Sequence, residues 1–181
     1  MAGHDLTGVL LVGGASRRFG SPKPLARTNG ESLAERAHRV LAEVCDEVIA
    51  VGKAADRLEL PFAVLDDGSD VRAAIVGVAA GLRLARNEIA LVLPTDMPAV
   101  TAALLEELTK ARSEHEADAA VVQTGPLPGA YRRSALPVLE RRIAAGELAL
   151  RGALEELATT VVEVDPVELR NVNEPADLDA V

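Results

Sequence analysis

A glycine-rich segment at residues 13–23 is the part of the sequence best suited to bind phosphate. It opens with Gly13-Gly14, contains the adjacent arginines Arg17 and Arg18, and ends on Lys23. Glycines let backbone amides approach a phosphate without a Cβ in the way, while Lys23 and one arginine supply positive charge. The spacing matches neither a Gly-x-Gly-x-x-Gly fingerprint nor a Walker A loop, in which the lysine directly follows a glycine. We therefore interpret the segment as a phosphate-binding loop of another class, and not as a glycine turn with solvated arginines.

A carboxylate follows a second apolar run. Asp96 lies just past residues 89–93, which have the character of a buried strand. Ligands of open α/β sheets bind beyond the carboxyl ends of strands, so we expect Asp96 on the same sheet edge as the glycine-rich loop. Magnesium typically takes one or two protein carboxylates together with phosphate oxygens and water. Asp96 is therefore a candidate magnesium ligand, whereas Thr101 is better placed to cap the next helix.

Two further pairs of polar residues are candidate ligand contacts. Asp66 and Asp67 follow the apolar run 63–65 and could meet a ribose, a base or the metal, although acidic turns are common. Asn171 and Asn173 are two residues apart, so in an extended segment their side chains lie on one side. They could bind a polar ligand, but Asx turns and a helix start explain the same residues.

The composition argues against nucleic-acid and membrane partners. The net charge is -9, only 2% of residues are aromatic, and there is no tryptophan. Such a chain repels polyanions and offers few faces on which bases stack. Its single cysteine, Cys45, excludes an internal disulfide, and the three histidines lack zinc-ligand spacing. The longest apolar run, residues 73–82, is too short to span a bilayer, so we expect a cytoplasmic protein.

Strand and helix patterns alternate around these residues. Ser32 and Glu35 form a predicted capping box, whereas Pro126 and Pro128 indicate a loop. Alternation of this kind favours a largely parallel sheet with helices on both faces, in a single domain over residues 1–181. We predict strands at residues 6–12, 48–51, 63–65, 89–93, 119–122 and 161–164, and helices at 33–44, 71–86, 101–112 and 134–145.

Taken in order, these motifs resemble the molybdenum cofactor guanylyltransferase family. The resemblance spans the chain and implies a three-layer α/β/α sandwich with a mostly parallel, Rossmann-like sheet of the nucleotidyltransferase type. It also implies transfer of GMP from GTP to a molybdopterin-type molybdenum cofactor, with Mg²⁺ assistance and release of pyrophosphate. Transient contacts with cofactor-biosynthesis proteins or molybdoenzymes are implied as well. The matching segments are Leu11-Val12-Gly13-Gly14, Arg18-Phe19-Gly20, Lys23, Thr95-Asp96-Met97-Pro98 and Asn171-Val172-Asn173.

The resemblance assigns roles to individual residues. It implies a nucleotide site in which Lys23 and Arg18 bind phosphate, Asp67 contacts guanosine and Asp96 holds magnesium. The attacking group is already a phosphate oxygen, so positioning and charge neutralisation suffice without a protein nucleophile. The remaining implied contacts are the backbone of Leu11, Val12, Gly13 and Gly14 with the nucleotide, and Asn171 and Asn173 on the pterin side.

Three positions differ from the family pattern and keep alternatives open. Pro22 stands where the family often has an aspartate, Ala74 begins the segment that matches its Gly-Pro-Leu, and Val51 stands where an asparagine can occur. The alternatives are a CTP-dependent molybdopterin or sugar-phosphate nucleotidyltransferase, and a homologue that binds nucleotide without turnover. Retention of both Lys23 and Asp96 favours an active enzyme.

Overall fold

Strands and helices alternate in the computed structural model, which describes residues 5–13 and 22–180. Short 3-10 helices cover Lys23–Leu25, Ala54–Asp56, Arg133–Ala135 and Pro175–Ala180. The strands are β1 (Leu6–Leu11), β2 (Arg27–Thr28), β3 (Glu31–Ser32), β4 (Glu47–Gly52), β5 (Val64–Asp66), β6 (Ile89–Pro94), β7 (Ala119–Val122), β8 (Gly125–Arg132) and β9 (Thr159–Val162). The α-helices are α1 (Leu33–Val44), α2 (Ala74–Leu84), α3 (Ala102–Glu114), α4 (Leu136–Ala144) and α5 (Leu150–Leu154).

The main sheet is mostly parallel, as the sequence predicts. Its strands follow the order β5-β4-β1-β6-β8-β7-β9, and β8 is antiparallel to both of its neighbours. β1 pairs in parallel with β4 and β6, and β4 pairs in parallel with β5. The carboxyl ends of these four strands therefore meet at one edge of the sheet, which is where open α/β sheets bind ligands.

Two apolar cores cover the two faces of the sheet. On one face α1 and α3 pack through residues such as Leu41 and Leu105. On the other, α2, α4 and α5 pack through residues such as Ile75 and Leu139. Successive β1 residues point to opposite faces, so Val9 joins the second core and Leu10 the first. The arrangement confirms the predicted three-layer α/β/α sandwich.

Helix α1 begins where the capping box predicts. The Ser32 hydroxyl accepts a hydrogen bond from the Glu35 amide at 3.1 Å, and the Glu35 carboxylate accepts one from the Ser32 amide at 2.9 Å. The two bonds satisfy amides that have no partner within the helix. Residues 33–44 then bury a stripe of aliphatic side chains, including Val40 and Leu41, against the sheet.

The loop predicted at Pro126 and Pro128 is wrong, because both prolines lie in strand β8. The register with β7 shifts there, since Val121 pairs with Gly129 but Val122 pairs with Gly125. Residues 126–128 thus have no partner in that ladder. Prolines, which lack an N–H group, are tolerated in a strand at such an irregularity.

Other differences from the predicted elements have local polar causes. Helix α2 begins at Ala74 and not at residue 71, because the Val71 carbonyl accepts a hydrogen bond from Lys53. β9 lies two residues earlier than predicted, because the Gln123 side chain pairs with both the amide and the carbonyl of Val164. Helix α5 and the hairpin formed by β2 and β3 were not predicted.

Candidate functional site

A cleft of about 610 Å³ opens at the carboxyl ends of β1, β4, β5 and β6. One wall is formed by strand-end residues, and the other by the start of β8 and by the C-terminal segment around Asn171. The volume lies in the range of small-molecule sites, and the position is the sheet edge that the sequence predicts. The strand-end residues that line it include Leu11, Gly13, Gly52, Lys53, Asp67, Asp96 and Met97.

The end of β1 is held rigidly beside this cleft. The Val12 amide donates to the Val51 carbonyl at 3.0 Å, and both side chains are buried. Leu11 and Gly13 line the cleft, whereas the Val12 side chain belongs to the core between the sheet and α1. Val12 therefore has only its backbone to offer a ligand. The rest of the predicted loop, residues 14–21 with Gly14 and Arg18, lies outside the described residues.

Lys23 and Asp96 come together although 73 positions separate them. Lys23 Nζ lies 3.2 Å from Asp96 Oδ2, with 15% and 33% of the two side chains exposed. The Asp96 carbonyl accepts from the Val172 amide at 2.8 Å, which ties the end of β6 to the C-terminal segment. The predicted phosphate lysine and the predicted metal carboxylate thus share one place beside the cleft.

The two asparagines flank a buried anchor. Val172 is fully buried and packs against Leu33, whereas Asn171 and Asn173 on either side are exposed. Asn173 Oδ1 accepts a hydrogen bond from Lys23 Nζ at 3.4 Å, and Asn171 lines the cleft. The alternation expected of an extended segment is therefore present.

The chain turns directly after Asn173. Asp177 Oδ2 accepts hydrogen bonds from the amides of Asn173 at 2.7 Å and Glu174 at 3.0 Å. These bonds hold the pKa of Asp177 below its usual range, with a further contribution from the positive charge of Lys23. The contacts fix the direction in which the C-terminal segment leaves the site.

Asp67 is paired with a lysine that the sequence analysis missed. Lys53 Nζ lies 2.7 Å from Asp67 Oδ1, and both side chains are almost fully buried. Lys53 lies directly after β4, so the strand-end rule that selected Asp96 would have selected it too. Asp66 has a structural role, because its two carboxylate oxygens accept from the amides of Ala54 and Gly68 at 2.7 and 2.8 Å, which lowers its pKa.

A second missed cation, Arg72, also lines the cleft. Its guanidinium forms two hydrogen bonds with the Asp56 carboxylate, at 2.9 and 2.5 Å. This fork lowers the pKa of Asp56, chiefly through the hydrogen bonds from Arg72. Arg72 connects the 3-10 helix at Ala54–Asp56 with the segment that precedes α2.

The described acidic residues show no ready-made metal site. Among residues 5–13 and 22–180, no group of three His, Cys, Asp or Glu side chains is placed to hold a metal ion. Asp96 is a partly exposed oxygen donor at the cleft, which suits a metal that takes most of its ligands from phosphate and water. Beside the cleft, the positive charge of Lys23 and the carboxylate of Asp96 thus lie within 3.2 Å of each other.

Known proteins match this chain over most of its length. The family model of the MobA-like NTP transferase domain matches residues 8–161. A probable molybdenum cofactor guanylyltransferase from Chloroflexus aggregans is 35% identical over 199 residues, covering 97% of this chain and 93% of that protein. A molybdenum cofactor guanylyltransferase from Pseudomonas syringae is 33% identical over 188 residues, covering 96% and 91%.

A solved structure agrees with the fold. Molybdopterin-guanine dinucleotide biosynthesis protein A from Archaeoglobus fulgidus superposes with a TM-score of 0.82 at 26% identity, covering 96% of this chain and 95% of that one. Within the part of the chain that the structure describes, no helix is both long and apolar enough to cross a membrane.

Proposed function

The chain belongs to the MobA-like NTP transferase domain family, and from this premise we propose that it transfers GMP from GTP to a molybdopterin-type molybdenum cofactor. The observation that carries the proposal is the Lys23–Asp96 pair, 3.2 Å apart beside a cleft of nucleotide size. A phosphate cation and a metal-type carboxylate at one place are what transfer between phosphates requires. The proposal treats residues 1–181 as one nucleotidyltransferase domain.

The proposed reaction joins two phosphates. An oxygen of the cofactor's terminal phosphate attacks the α-phosphorus of GTP and forms a new P–O bond. The bond from that phosphorus to the bridging oxygen breaks, and pyrophosphate leaves with the electron pair. No protein nucleophile takes part, so the contribution of the chain is to orient the two phosphates and to balance their charge.

The nucleotide is the proposed ligand of the end of β1 and of the glycine-rich loop at residues 13–23. Lys23 and Arg18 bind its phosphates, and the backbones of Leu11, Val12, Gly13 and Gly14 approach the nucleotide. Asp67, whose side chain is almost fully buried at the cleft, meets the guanine base. The acceptor lies toward the other wall, where Asn171 and Asn173 flank the buried Val172.

Magnesium is proposed as the metal, with Asp96 as its protein ligand. The partly exposed carboxylate beside Lys23 fits this ion, which favours oxygen ligands and keeps several of its waters. When bound, Mg²⁺ would neutralise phosphate charge and polarise the transferred phosphoryl group. Lys23 holds Asp96 in the absence of substrate and turns to the phosphates when they arrive.

A nucleotide titration tests the proposal. Thermal unfolding of the protein is followed with GTP, CTP, ATP and UTP in the presence of Mg²⁺, because a ligand that binds the folded state raises its stability. GTP is expected to give the largest shift, and pyrophosphate release should then require a molybdopterin-type acceptor. A clear preference for CTP would replace the guanylyl assignment with the cytidylyl one. Binding without pyrophosphate release would support the homologue without turnover.

A further inference from the structure

Lys53 is a cation that lines the cleft but has no role in the proposed reaction. Its side chain is 9% exposed, and that of its partner Asp67 is 7% exposed. Burying two ions costs desolvation energy that their attraction repays only when the geometry is good and the other polar atoms are satisfied. The hydrogen bonds of Lys53 and Asp67 therefore decide which of their polar atoms are left for a ligand.

All three N–H groups of the Lys53 ammonium are occupied. One donates to Asp67 Oδ1 at 2.7 Å, one to the Val71 carbonyl at 2.7 Å, and one to the Ser69 carbonyl. A lysine has three donors and no acceptor, so none is left for a phosphate. Lys53 instead connects the end of β4 to the segment between β5 and α2.

The same contacts fix the Asp67 carboxylate by one of its two oxygens. Oδ1 accepts from Lys53 Nζ and from the Ser69 amide at 3.0 Å, while the Asp67 amide donates to the Gly52 carbonyl at 3.0 Å. Oδ2 accepts no hydrogen bond from any residue that the structure describes. A carboxylate of a cleft-lining residue thus keeps one acceptor oxygen for a ligand.

We propose that Lys53 is a positioning residue for base selection, which holds Asp67 so that Oδ2 accepts hydrogen bonds from guanine. The inference rests on the proposed function, in which GTP is the substrate. Lys53 touches no part of the nucleotide and acts through Asp67. It also balances the charge of Asp67, which would otherwise repel the triphosphate from the cleft.

The chemistry of the bases explains why a fixed acceptor favours guanine. The guanine edge carries two adjacent donor groups, the ring N1–H and the exocyclic amino group. Adenine and cytosine each carry one amino group beside a ring nitrogen that is itself an acceptor and is repelled by a carboxylate. An oxygen held in place gains one or two charge-assisted bonds with guanine at little ordering cost.

The test compares the affinities for two purine nucleotides. Dissociation constants of GTP and ATP with Mg²⁺ are measured by calorimetry for the wild type and for Lys53→Met, with Lys110→Met on the surface of α3 as the matched control. Lys53→Met should weaken GTP binding about tenfold or more and leave ATP binding nearly unchanged, because a charge-assisted hydrogen bond is lost. KM for GTP should rise more than kcat falls. Lys53→Arg, which keeps the charge, should retain part of the preference.

A double-variant cycle separates positioning from general structural damage. Asp67→Asn should also lose the preference for GTP, and adding Lys53→Met to it should change the GTP/ATP ratio little further, since the two residues act as one unit. The neutral double variant, in which no charge is buried alone, keeps the test valid if Lys53→Met does not fold.

Two results would overturn the inference but not the proposed function. These are an equal loss of affinity for GTP and ATP in Lys53→Met, and an unchanged preference for GTP in that variant. A wild type that prefers CTP would overturn the inference together with the proposed function.

Discussion

At the scale of single residues, the site is organised by contacts between charged groups. Lys23 is held by Asp96 and Asn173, and Lys53 by Asp67 and two carbonyls. Both lysines are largely buried, but their partners differ, because the Asp96 side chain is 33% exposed and that of Asp67 is 7% exposed. Opening of the more exposed pair leaves its carboxylate partly solvated, so the Lys23–Asp96 pair is the one that we expect to part for the proposed phosphate and metal ion.

Loss of Lys23 should change two affinities in opposite directions. Lys23→Met should lower the affinity for GTP, because a phosphate cation is lost, and raise the affinity of Asp96 for Mg²⁺ without nucleotide, because its competitor is gone. Both affinities can be measured by calorimetry. Where Mg²⁺ binds too weakly for this, Mn²⁺ can replace it, because binding of this paramagnetic ion is seen by magnetic resonance.

Asp96→Asn should remove magnesium-dependent pyrophosphate release without unfolding the protein.

The matched controls for this pair lie on α3. Lys110→Met and Glu107→Gln change the same charges at exposed positions and should leave nucleotide and metal affinities as in the wild type. A Lys23→Met protein with unchanged affinity for Mg²⁺ would show that Lys23 does not compete for Asp96. Unchanged turnover in Asp96→Asn would remove this residue from the metal site.

At the scale of elements, the site residues are positioned by the ends of the helices and strands that carry them. Helix α1 begins at the Ser32–Glu35 capping box, directly after the short hairpin of β2 and β3. The hairpin turns at Asn29-Gly30, where both residues have positive φ, 51° and 84°. Asn-Gly is the pair that such tight turns favour. The hairpin thereby leads the chain from Lys23 into α1, which packs on the main sheet.

Loss of the capping box should weaken α1 in a pH-dependent way. Ser32→Ala is expected to destabilise the protein by about 0.5–2 kcal/mol at neutral pH. The hydrogen bonds from Ser32, to which the Arg27 charge adds, hold the pKa of Glu35 below its ordinary value of 4.5. The contribution of Glu35 is therefore fully present above pH 4.5 and is lost as the pH falls through the lowered pKa. The deficit of Ser32→Ala should shrink in acid.

Urea unfolding of Ser32→Ala and wild type at several pH values measures this difference. Ser113→Ala, at an exposed position of α3, is the control for loss of a hydroxyl and should stay within about 0.5 kcal/mol of wild type. A deficit that is the same at neutral and acid pH would contradict the role of the Glu35 carboxylate.

At the scale of the whole molecule, one sheet joins two cores. Leu41 is fully buried on the α1 face and Leu139 on the α4 face, and the inner strand β1 contributes side chains to both sides. Both cores are built on the same sheet, and β1 and β6 contribute side chains to each of them. A substitution that destabilises one core should therefore destabilise the whole domain.

This connection predicts one cooperative unfolding transition. Leu41→Ala and Leu139→Ala should each lower the free energy of unfolding by about 2–5 kcal/mol, because a cavity replaces a buried side chain. Each should shift the same single thermal transition, seen identically by circular dichroism and by scanning calorimetry. Two separate transitions, each moved by only one of the variants, would contradict the single domain proposed for residues 1–181.

The elements were largely predictable because their signals are local. The capping box at Ser32 and the N-cap at Thr101 depend on residues three positions apart, and both are present in the structure. The prediction failed where distant partners decide the conformation. Pro126 lies in a strand because β7 pairs with Gly125 and Gly129 on either side of it. Helix α2 begins late because Lys53 binds the preceding carbonyls.

By itself the sequence determined the fold class and selected residues 13–23 and Asp96 as candidates for phosphate and metal binding, because glycine spacing, burial patterns and strand ends are local features of the sequence. Only the tertiary structure decided what these groups touch. It placed Lys23 on Asp96 and Asn173, and it buried Lys53 against Asp67. Such pairings join residues 14 to 150 positions apart, and they depend on which strands become neighbours in the sheet, which the local pattern of one segment does not specify.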